Sequence, residues 1–143
     1  MSNHNFKQLY IWKDGIELAT KTYEFAEELP DKEKFGLWSQ MTRSSVSIPS
    51  NIAEGSARTN RSFKSFLRNA LGSAYELETQ LIICERRKYG DSSKRNELLA
   101  EVQKEQKMLN NFIGRLPDET PSRSNLGSTV FLCICSALLS VLY

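Results

Sequence analysis

The chain has 143 residues, of which 25% are charged, 40% hydrophobic and 10% aromatic, with 7 Gly and 4 Pro. These are average values for a globular protein, and they exclude a collagen-like, low-complexity or wholly disordered chain. The 19 basic and 17 acidic residues leave a net charge of +2, which is too small to imply a polyanionic partner by itself. All of these charges lie before residue 124, so the chain ends in an uncharged tail.

This charge boundary is interpreted as the edge of a domain. At this length a fold buries roughly 68% of the surface that its unfolded chain exposes, so one hydrophobic core can hold it without metal or disulfide. The sequence therefore predicts one domain over residues 1–116. From Pro117 onward, residues 117–143 form an apolar C-terminal tail whose conformation the sequence does not determine.

Cysteine and histidine usage limits the metal and redox chemistry. Three cysteines, an odd number, do not form a disulfide framework and favour a reducing, cytoplasmic location. Cys133 and Cys135 have no second cysteine pair to complete a zinc site, and His4 is the sole histidine, so we expect neither a metal nor a cofactor. The polar amino terminus is not followed by an apolar run, which predicts no secretory signal peptide.

The first predicted helix extends from about Leu9 to Glu28. Pro30 disfavours helical geometry in the residue before it, so the helix should end there. Its apolar residues recur at alternating steps of three and four, as on one stripe of an amphipathic helix. The stripe consists of Leu9, Trp12, Ile16, Ala19, Tyr23 and Ala26.

A second helix is predicted from Asp31, a good N-cap, to Gly55. Pro49 lies inside it and removes one backbone hydrogen bond, but the apolar stripe keeps its phase across the proline. We therefore predict one kinked helix rather than two elements. The stripe consists of Trp38, Met41, Ser45, Ile48 and Ile52.

The third and fourth helices have clear ends. The third begins after Thr59 or Asn60 and stops before Gly90, and its apolar seam has the 3.5-residue spacing of a bundle. The seam consists of Phe63, Leu67, Ala70, Ala74, Leu77, Leu81 and Cys84. The fourth extends from about Ser93 to Leu116. Its apolar face consists of Leu98, Val102, Leu109, Phe112 and Leu116.

Four amphipathic helices with short connections predict an all-α fold. The economical arrangement is an up-down-up-down antiparallel four-helix bundle. No internal repeat argues for a helical solenoid, and no alternating strand pattern competes before residue 129.

The sequence predicts no enzymatic activity. His4 lies near the amino terminus, so histidine-based acid–base or nucleophilic chemistry has no suitable residue. No glycine-rich phosphate loop, His-Glu-x-x-His motif or calcium loop occurs. Glu76 and Glu78 are two residues apart and face different sides of their helix, so they do not form a carboxylate pair.

A polar stripe accompanies the apolar one on the second helix. Ser and Asn are poor residues for a helix interior, so solubility alone does not account for them. The stripe could form a hydrogen-bonded seam against another helix or subunit, with its charged members paired if buried, or a ligand-facing surface. Small residues that permit close helix approach around Pro49 are an equal alternative. The candidate seam or subunit interface consists of Gln40, Arg43, Ser47, Asn51 and Glu54, with Ser44 between them.

A basic stripe at the start of the third helix is the candidate nucleic-acid site. It consists of Arg58, Arg61, Lys64 and Arg68, with Tyr75 further along the same side. Such a row can follow a phosphate backbone, with the tyrosine available for base stacking. A charge run is nonetheless usually a solvated face, and three or four phosphate contacts support only modest affinity for RNA or DNA.

The uncharged tail reads VFLCICSALLSVL over residues 130–142. As a helix it would span about 20 Å, short of the roughly 30 Å hydrocarbon core of a bilayer. A membrane anchor is therefore disfavoured, and packing against the bundle or another copy of the chain is the leading alternative.

Two segments carry a family resemblance: SIPSNIAEG at residues 47–55, and FKSFL at 63–67 followed by ALGSAYELE at 70–78. From about residue 9 to 116, the chain resembles the bacterial four-helix bundle proteins whose genes were first recognised in intervening sequences of 23S ribosomal RNA. Thr42 stands where a second Arg is common in that family. The motif residues correspond here to Arg43, Asn51, Glu54, Gly55, Phe66, Gly72, Ser73 and Glu76.

The resemblance implies an up-down bundle that assembles into a ring-like homopentamer without enzymatic activity. Family members have been suspected of binding nucleic acid, and distant relatives assist reverse transcriptases in diversity-generating retroelements. A ring would repeat a weak basic stripe five-fold and sum its contacts through avidity. The same ring could instead be a scaffold for protein partners without nucleic-acid contact, so both readings remain open on the sequence.

Overall fold

The computed structural model describes residues 5–117 and consists of four helices. They are α1 (Tyr10–Ala26), α2 (Leu37–Ser56), α3 (Asn60–Arg87) and α4 (Ser92–Arg115). Each helix packs on its neighbours in the chain, and α4 closes the bundle against α1. No strand occurs within residues 5–117, so the predicted all-α bundle is confirmed. The predicted tail lies outside the described residues, apart from Pro117.

The apolar seam of α3 is buried as the sequence predicts. All seven side chains have no exposed surface, and they face α2 on one side and α4 on the other. The stripe on α2 behaves in the same way, because Met41, Ser45, Ile48 and Ile52 are all completely buried. The predicted faces of these two helices are therefore correct.

The predicted face of α1 is correct only in part. Ala19 and Ala26 are buried as predicted, but Ile16 and Tyr23 are each 42% exposed. The neighbouring stripe, with Ile11, Leu18 and Phe25, enters the core instead. The two stripes have the same three-and-four spacing, so periodicity alone does not distinguish them. Contact with α2 selects the second stripe, since Gly15 belongs to it and lies close to Ile48 and Pro49 of α2.

Helix α2 begins later than the sequence predicts. Asp31 starts a short 3-10 turn, Asp31–Glu33, and α2 begins only at Leu37, after Gly36. The Glu33 carboxylate accepts a hydrogen bond from the Leu37 backbone N at 3.3 Å. Glu33 rather than Asp31 therefore pairs with a backbone N–H at the start of α2. The helix then continues without interruption through the buried Pro49, as one element.

The turn between α3 and α4 uses left-handed backbone. Lys88 is the C-cap of α3 at φ 57°, two residues before the predicted stop at Gly90, which also has a positive φ of 65°. A side chain at Gly90 would clash with the ring of Phe25, since an added Cβ would lie 2.5 Å from Cε2. Asp91 then caps α4 by accepting from the Lys94 backbone N at 2.9 Å.

Glu105 is a charged residue type within the core that the sequence pattern does not reveal. It lies on α4 and is only 1% exposed. Burial raises the pKa of its carboxyl from 4.5 to about 8; nearby Asp14 adds to the rise and Lys104 opposes it. The folded protein therefore holds Glu105 in its neutral form at pH 7.

This burial makes stability depend on pH. Between about pH 4.5 and pH 8 the folded state keeps a proton on Glu105 that the unfolded state has lost, so stability falls as pH rises through that range. The variant Glu105→Gln does not titrate there. We expect the free energy of unfolding of Glu105→Gln minus that of wild type to increase as pH rises from about 4.5 to about 8, and to level off above that pH. A difference independent of pH, measured by urea denaturation, would contradict this.

The approach of α2 to α3 depends on Gly55. A Cβ added at this position would lie 2.6 Å from Cβ of Phe66 and 2.7 Å from Cδ2 of Phe63. We expect Gly55→Ala to destabilise the fold by about 1–3 kcal/mol, the usual cost of overpacking. Gly72 on α3 is the matched control, because an added Cβ meets no atom within 4 Å there.

Gly72→Ala should leave stability unchanged or raise it by up to about 1 kcal/mol, since alanine is the better helix former. Urea denaturation midpoints of the two variants measure the contrast. Equal midpoints for both would show that Gly55 does not set the distance between α2 and α3.

Candidate nucleic-acid interface

The basic stripe lies at the end of the bundle where α2 turns into α3. Arg58 lies in the three-residue turn between the two helices, while Arg61 and Arg68 are exposed on α3. Two helical turns, about 10 Å, separate the last two residues. Lys64 is only 9% exposed and has interactions of its own. Three of the four residues of the stripe therefore face solvent.

The exposed arginines differ in their ion pairing. Arg58 pairs with Glu54 at 3.5 Å, but both side chains are more than half exposed, so solvent screens the pair and a phosphate can displace it. Within residues 5–117, neither Arg61 nor Arg68 forms an ion pair. Two guanidinium groups thus keep their full charge and hydrogen-bonding capacity.

Tyr75 continues this surface along α3. It lies two turns beyond Arg68 on the same side of the helix, and it is 48% exposed. An open groove between α2 and α3 reaches its side chain. The groove has a volume of about 460 Å³ and is lined by Gln40, Gly72, Tyr75, Glu76, Thr79 and Gln80. The exposed ring provides an apolar face next to a polar groove.

The middle of the polar stripe on α2 hydrogen-bonds within the protomer. The Ser73 hydroxyl of α3 donates to the Ser47 hydroxyl at 2.8 Å. Asn51 donates from Nδ2 to the Ser47 carbonyl at 2.8 Å and to its hydroxyl at 3.0 Å. One turn earlier, Ser44 donates to Gln80 Oε1 at 2.8 Å. The structure therefore brings these residues into a polar seam between α2 and α3.

The outer members of the stripe remain at the surface. Gln40, Arg43 and Glu54 are exposed, and Glu54 interacts with Arg58 rather than with Arg43. The condition under which Arg43 and Glu54 would pair, namely burial, is not met. These three side chains belong to the surface that a ligand or a second subunit would contact.

Sequence reasoning missed two residues of α3, Glu78 and Gln80, whose hydrogen bonds connect α3 to its neighbouring helices. Gln80 receives the Ser44 hydrogen bond, although nothing in its own position along α3 sets it apart. Glu78 accepts from Gln106 at 2.7 Å and from Gln103 at 2.8 Å, both on α4. A glutamate followed after 25 and 28 residues by glutamines is not a recognisable motif, so these pairs emerge only from the packing.

The described residues offer little for catalysis. Burial raises the pKa of the Cys84 thiol to about 11, so it stays protonated and a poor nucleophile. Within residues 5–117, no group of three or more His, Cys, Asp or Glu side chains is arranged to hold a metal ion. In the same range, no helix is long and apolar enough to cross a membrane.

Comparison with known proteins identifies the bundle. A sequence model described as 23S rRNA-intervening sequence protein matches residues 7–111, from before α1 into the last turns of α4. The chain belongs to this family. The resemblance seen in the sequence is thereby confirmed, and the motif segments of the family form α2 and α3.

A solved structure from Bacteroides thetaiotaomicron is similar to the chain. It is a protein of unknown function from the S23 ribosomal protein family, 25% identical, with a TM-score of 0.67. The match covers 73% of this chain and 95% of that one, so the two share nearly the whole bundle. No curated protein matches the chain.

The seam between α2 and α3 predicts a measurable coupling. Ser47→Ala and Ser73→Ala each remove one partner of the same hydrogen bond, so their effects on stability should not add. We expect a coupling energy of about 0.5–1.5 kcal/mol in a double-mutant cycle followed by urea denaturation.

Ser50 supplies the control cycle, because its exposed hydroxyl donates only within α2, to the Val46 carbonyl. Ser50→Ala combined with Ser73→Ala should give additive effects. A zero coupling for the first pair would mean that the Ser47–Ser73 bond does not persist in solution.

Proposed function

We propose that this family member is a non-enzymatic, homo-oligomeric bundle that binds RNA or DNA through Arg58, Arg61 and Arg68. The observation that carries this proposal is the pair of exposed arginines, Arg61 and Arg68, that have no ion pair within residues 5–117. Exposed cations in a row bind phosphates and release counterions from nucleic acid. The proposal includes the cytoplasmic location predicted from the cysteines.

Lys64 has a different part in this proposal from the one that the sequence predicts. Its side chain is buried and already engaged, so it does not contact phosphate. Tyr75 takes up the stacking role, because its half-exposed ring lies in line with the two arginines. The surface therefore combines two strong cations, one screened cation and one aromatic ring.

The proposal includes assembly into a homo-oligomer, and the family resemblance suggests a pentamer. Assembly would raise the affinity of so small a site for nucleic acid. Two or three phosphate contacts per protomer give weak binding, but repeated sites on one particle bind a long strand with avidity. Partly exposed apolar side chains on α1 and α3 supply area for contacts between copies. They are Ile16, Tyr23, Ile82 and Ile83.

A protein-interaction scaffold without nucleic-acid contact is the alternative function. Its predicted interface included Ser47 and Asn51, which here hydrogen-bond to each other and to Ser73 of the same protomer. Only Gln40, Arg43 and Glu54 of that surface are exposed to a partner protein, and Glu54 already pairs with Arg58. The observations therefore support the basic stripe more than the polar one.

The decisive variant is Arg61→Ala combined with Arg68→Ala. We expect its affinity to fall for structured RNA, single strands and duplex alike, because phosphate contacts carry no sequence information. The slope of log affinity against log salt should become shallower by about 2 for duplex DNA. Fluorescence anisotropy with labelled nucleic acids, at several salt concentrations, measures both quantities.

Lys34→Ala with Lys107→Ala is the matched control, since it removes the same charge from two exposed lysines away from the start of α3. It should leave the affinity nearly unchanged. Undetectable binding of wild type at low salt, or equal losses in both variants, would contradict the proposal. Solution mass measured with and without nucleic acid reports the assembly state separately.

A further inference from the structure

The seam between α1 and α4, across the bundle from the basic stripe, contains a small acidic cavity. Its volume is about 120 Å³. Four carboxyl-bearing side chains, one lysine and one leucine line it. These residues are Asp14, Glu17, Leu18, Glu101, Lys104 and Glu105.

Glu105 at this cavity has no internal partner. Both carboxyl oxygens are buried and form no hydrogen bond, and the whole residue is 1% exposed. A buried carboxyl that lacks a donor is costly, so buried polar groups in proteins almost always have one. The Glu105 side chain thus has unused acceptor capacity directed at a cavity that it lines.

The neighbouring lysines do not neutralise the cavity. Lys104 pairs with Asp14 at 2.6 Å, and Lys21 pairs with Glu101 at 2.5 Å and with Glu97 at 2.8 Å. Each lysine charge is therefore already matched by at least one carboxylate. Glu17 is left without a lysine partner, and Glu105 adds a second negative charge when it ionises above about pH 8, so the cavity attracts cations.

The kind of cation follows from the same residues. No group of side chains within residues 5–117 has the arrangement for a metal ion. An unsatisfied carboxylate beside the apolar Leu18 instead matches a group that bears both N–H donors and a short alkyl chain. A cavity of about 120 Å³ has room for such a group and excludes large ligands.

We propose that the cavity between α1 and α4 binds a small primary alkylammonium ion, which donates hydrogen bonds to the Glu105 carboxylate while its alkyl end contacts Leu18. The acidic rim formed by Glu17 and Glu101 draws the cation in. This site is independent of nucleic-acid binding, because it lies on the opposite seam of the bundle.

Binding should depend on pH in a defined direction. Burial holds the pKa of Glu105 at about 8, so below that pH the cation must first displace a proton from the carboxyl. Alkylammonium groups themselves remain charged up to a pH near 10. The affinity for the alkylammonium ion should therefore rise with pH and level off above about pH 8. About two pH units below that value, it should be about 100-fold weaker than on the plateau.

Methylammonium chloride titrated into the full chain by calorimetry, above pH 8 and at constant ionic strength, tests the proposal. Tetramethylammonium has the same charge but no N–H donor and serves as the control ion. We expect saturable binding of methylammonium alone, and a loss of at least about tenfold in Glu105→Gln. Glu97→Gln removes an exposed carboxylate from the same seam and should bind like wild type.

Glu105→Met is a second variant that keeps the test valid if Glu105→Gln does not fold. Replacing a buried carboxyl by an apolar side chain of similar size often stabilises a protein. It should fold, as circular dichroism can verify, and show the same loss of binding. Equal binding of both ions, unchanged affinity in the Glu105 variants, or no saturable binding to wild type would each overturn the proposal.

Discussion

The contact between the end of α2 and the start of α3 determines the direction in which the arginines of α3 point. Gly55 has no side chain, and the Phe63 and Phe66 side chains of α3 occupy the space beside it. Only three residues separate the two helices, so this contact sets both the distance and the rotation of α3. With Phe63 turned into the core, Arg61 must point outward. Arg68, two turns further along, follows the same phase.

The seam between α1 and α4 differs from the contact between α2 and α3 in the side chains that cross it. Ion pairs between long side chains cross it, with Lys94 on Glu28 at one end and Lys104 on Asp14 at the other. Exposed pairs of this kind contribute little to stability, since each also orders two flexible side chains in solvent. The cavity beside the buried carboxyl of Glu105 lies along this seam.

The sequence predicts the fold well where one pattern dominates and less well where two patterns compete. On α3 a single apolar stripe is flanked by charges, so its buried face could be predicted residue by residue. On α1 two adjacent stripes have the same period, and only contact with α2 through Gly15 decides between them. The burial of Lys64 and Glu105 was not predictable, because both positions depend on neighbouring helices rather than on local spacing. The exposure of Arg61 and Arg68 was predictable, since exposure is the ordinary state of arginine.

The arrangement of the four helices keeps the two proposed sites apart. Within residues 5–117 each helix contacts only its neighbours around the bundle, so the α1–α4 seam lies opposite the α2–α3 seam. Arg61 and Arg68 lie on α3, whereas Glu17 and the buried Glu105 lie at the cavity between α1 and α4. A polyanion and an ammonium ion therefore meet different side chains on different faces of the bundle, and neither site needs the other in order to function.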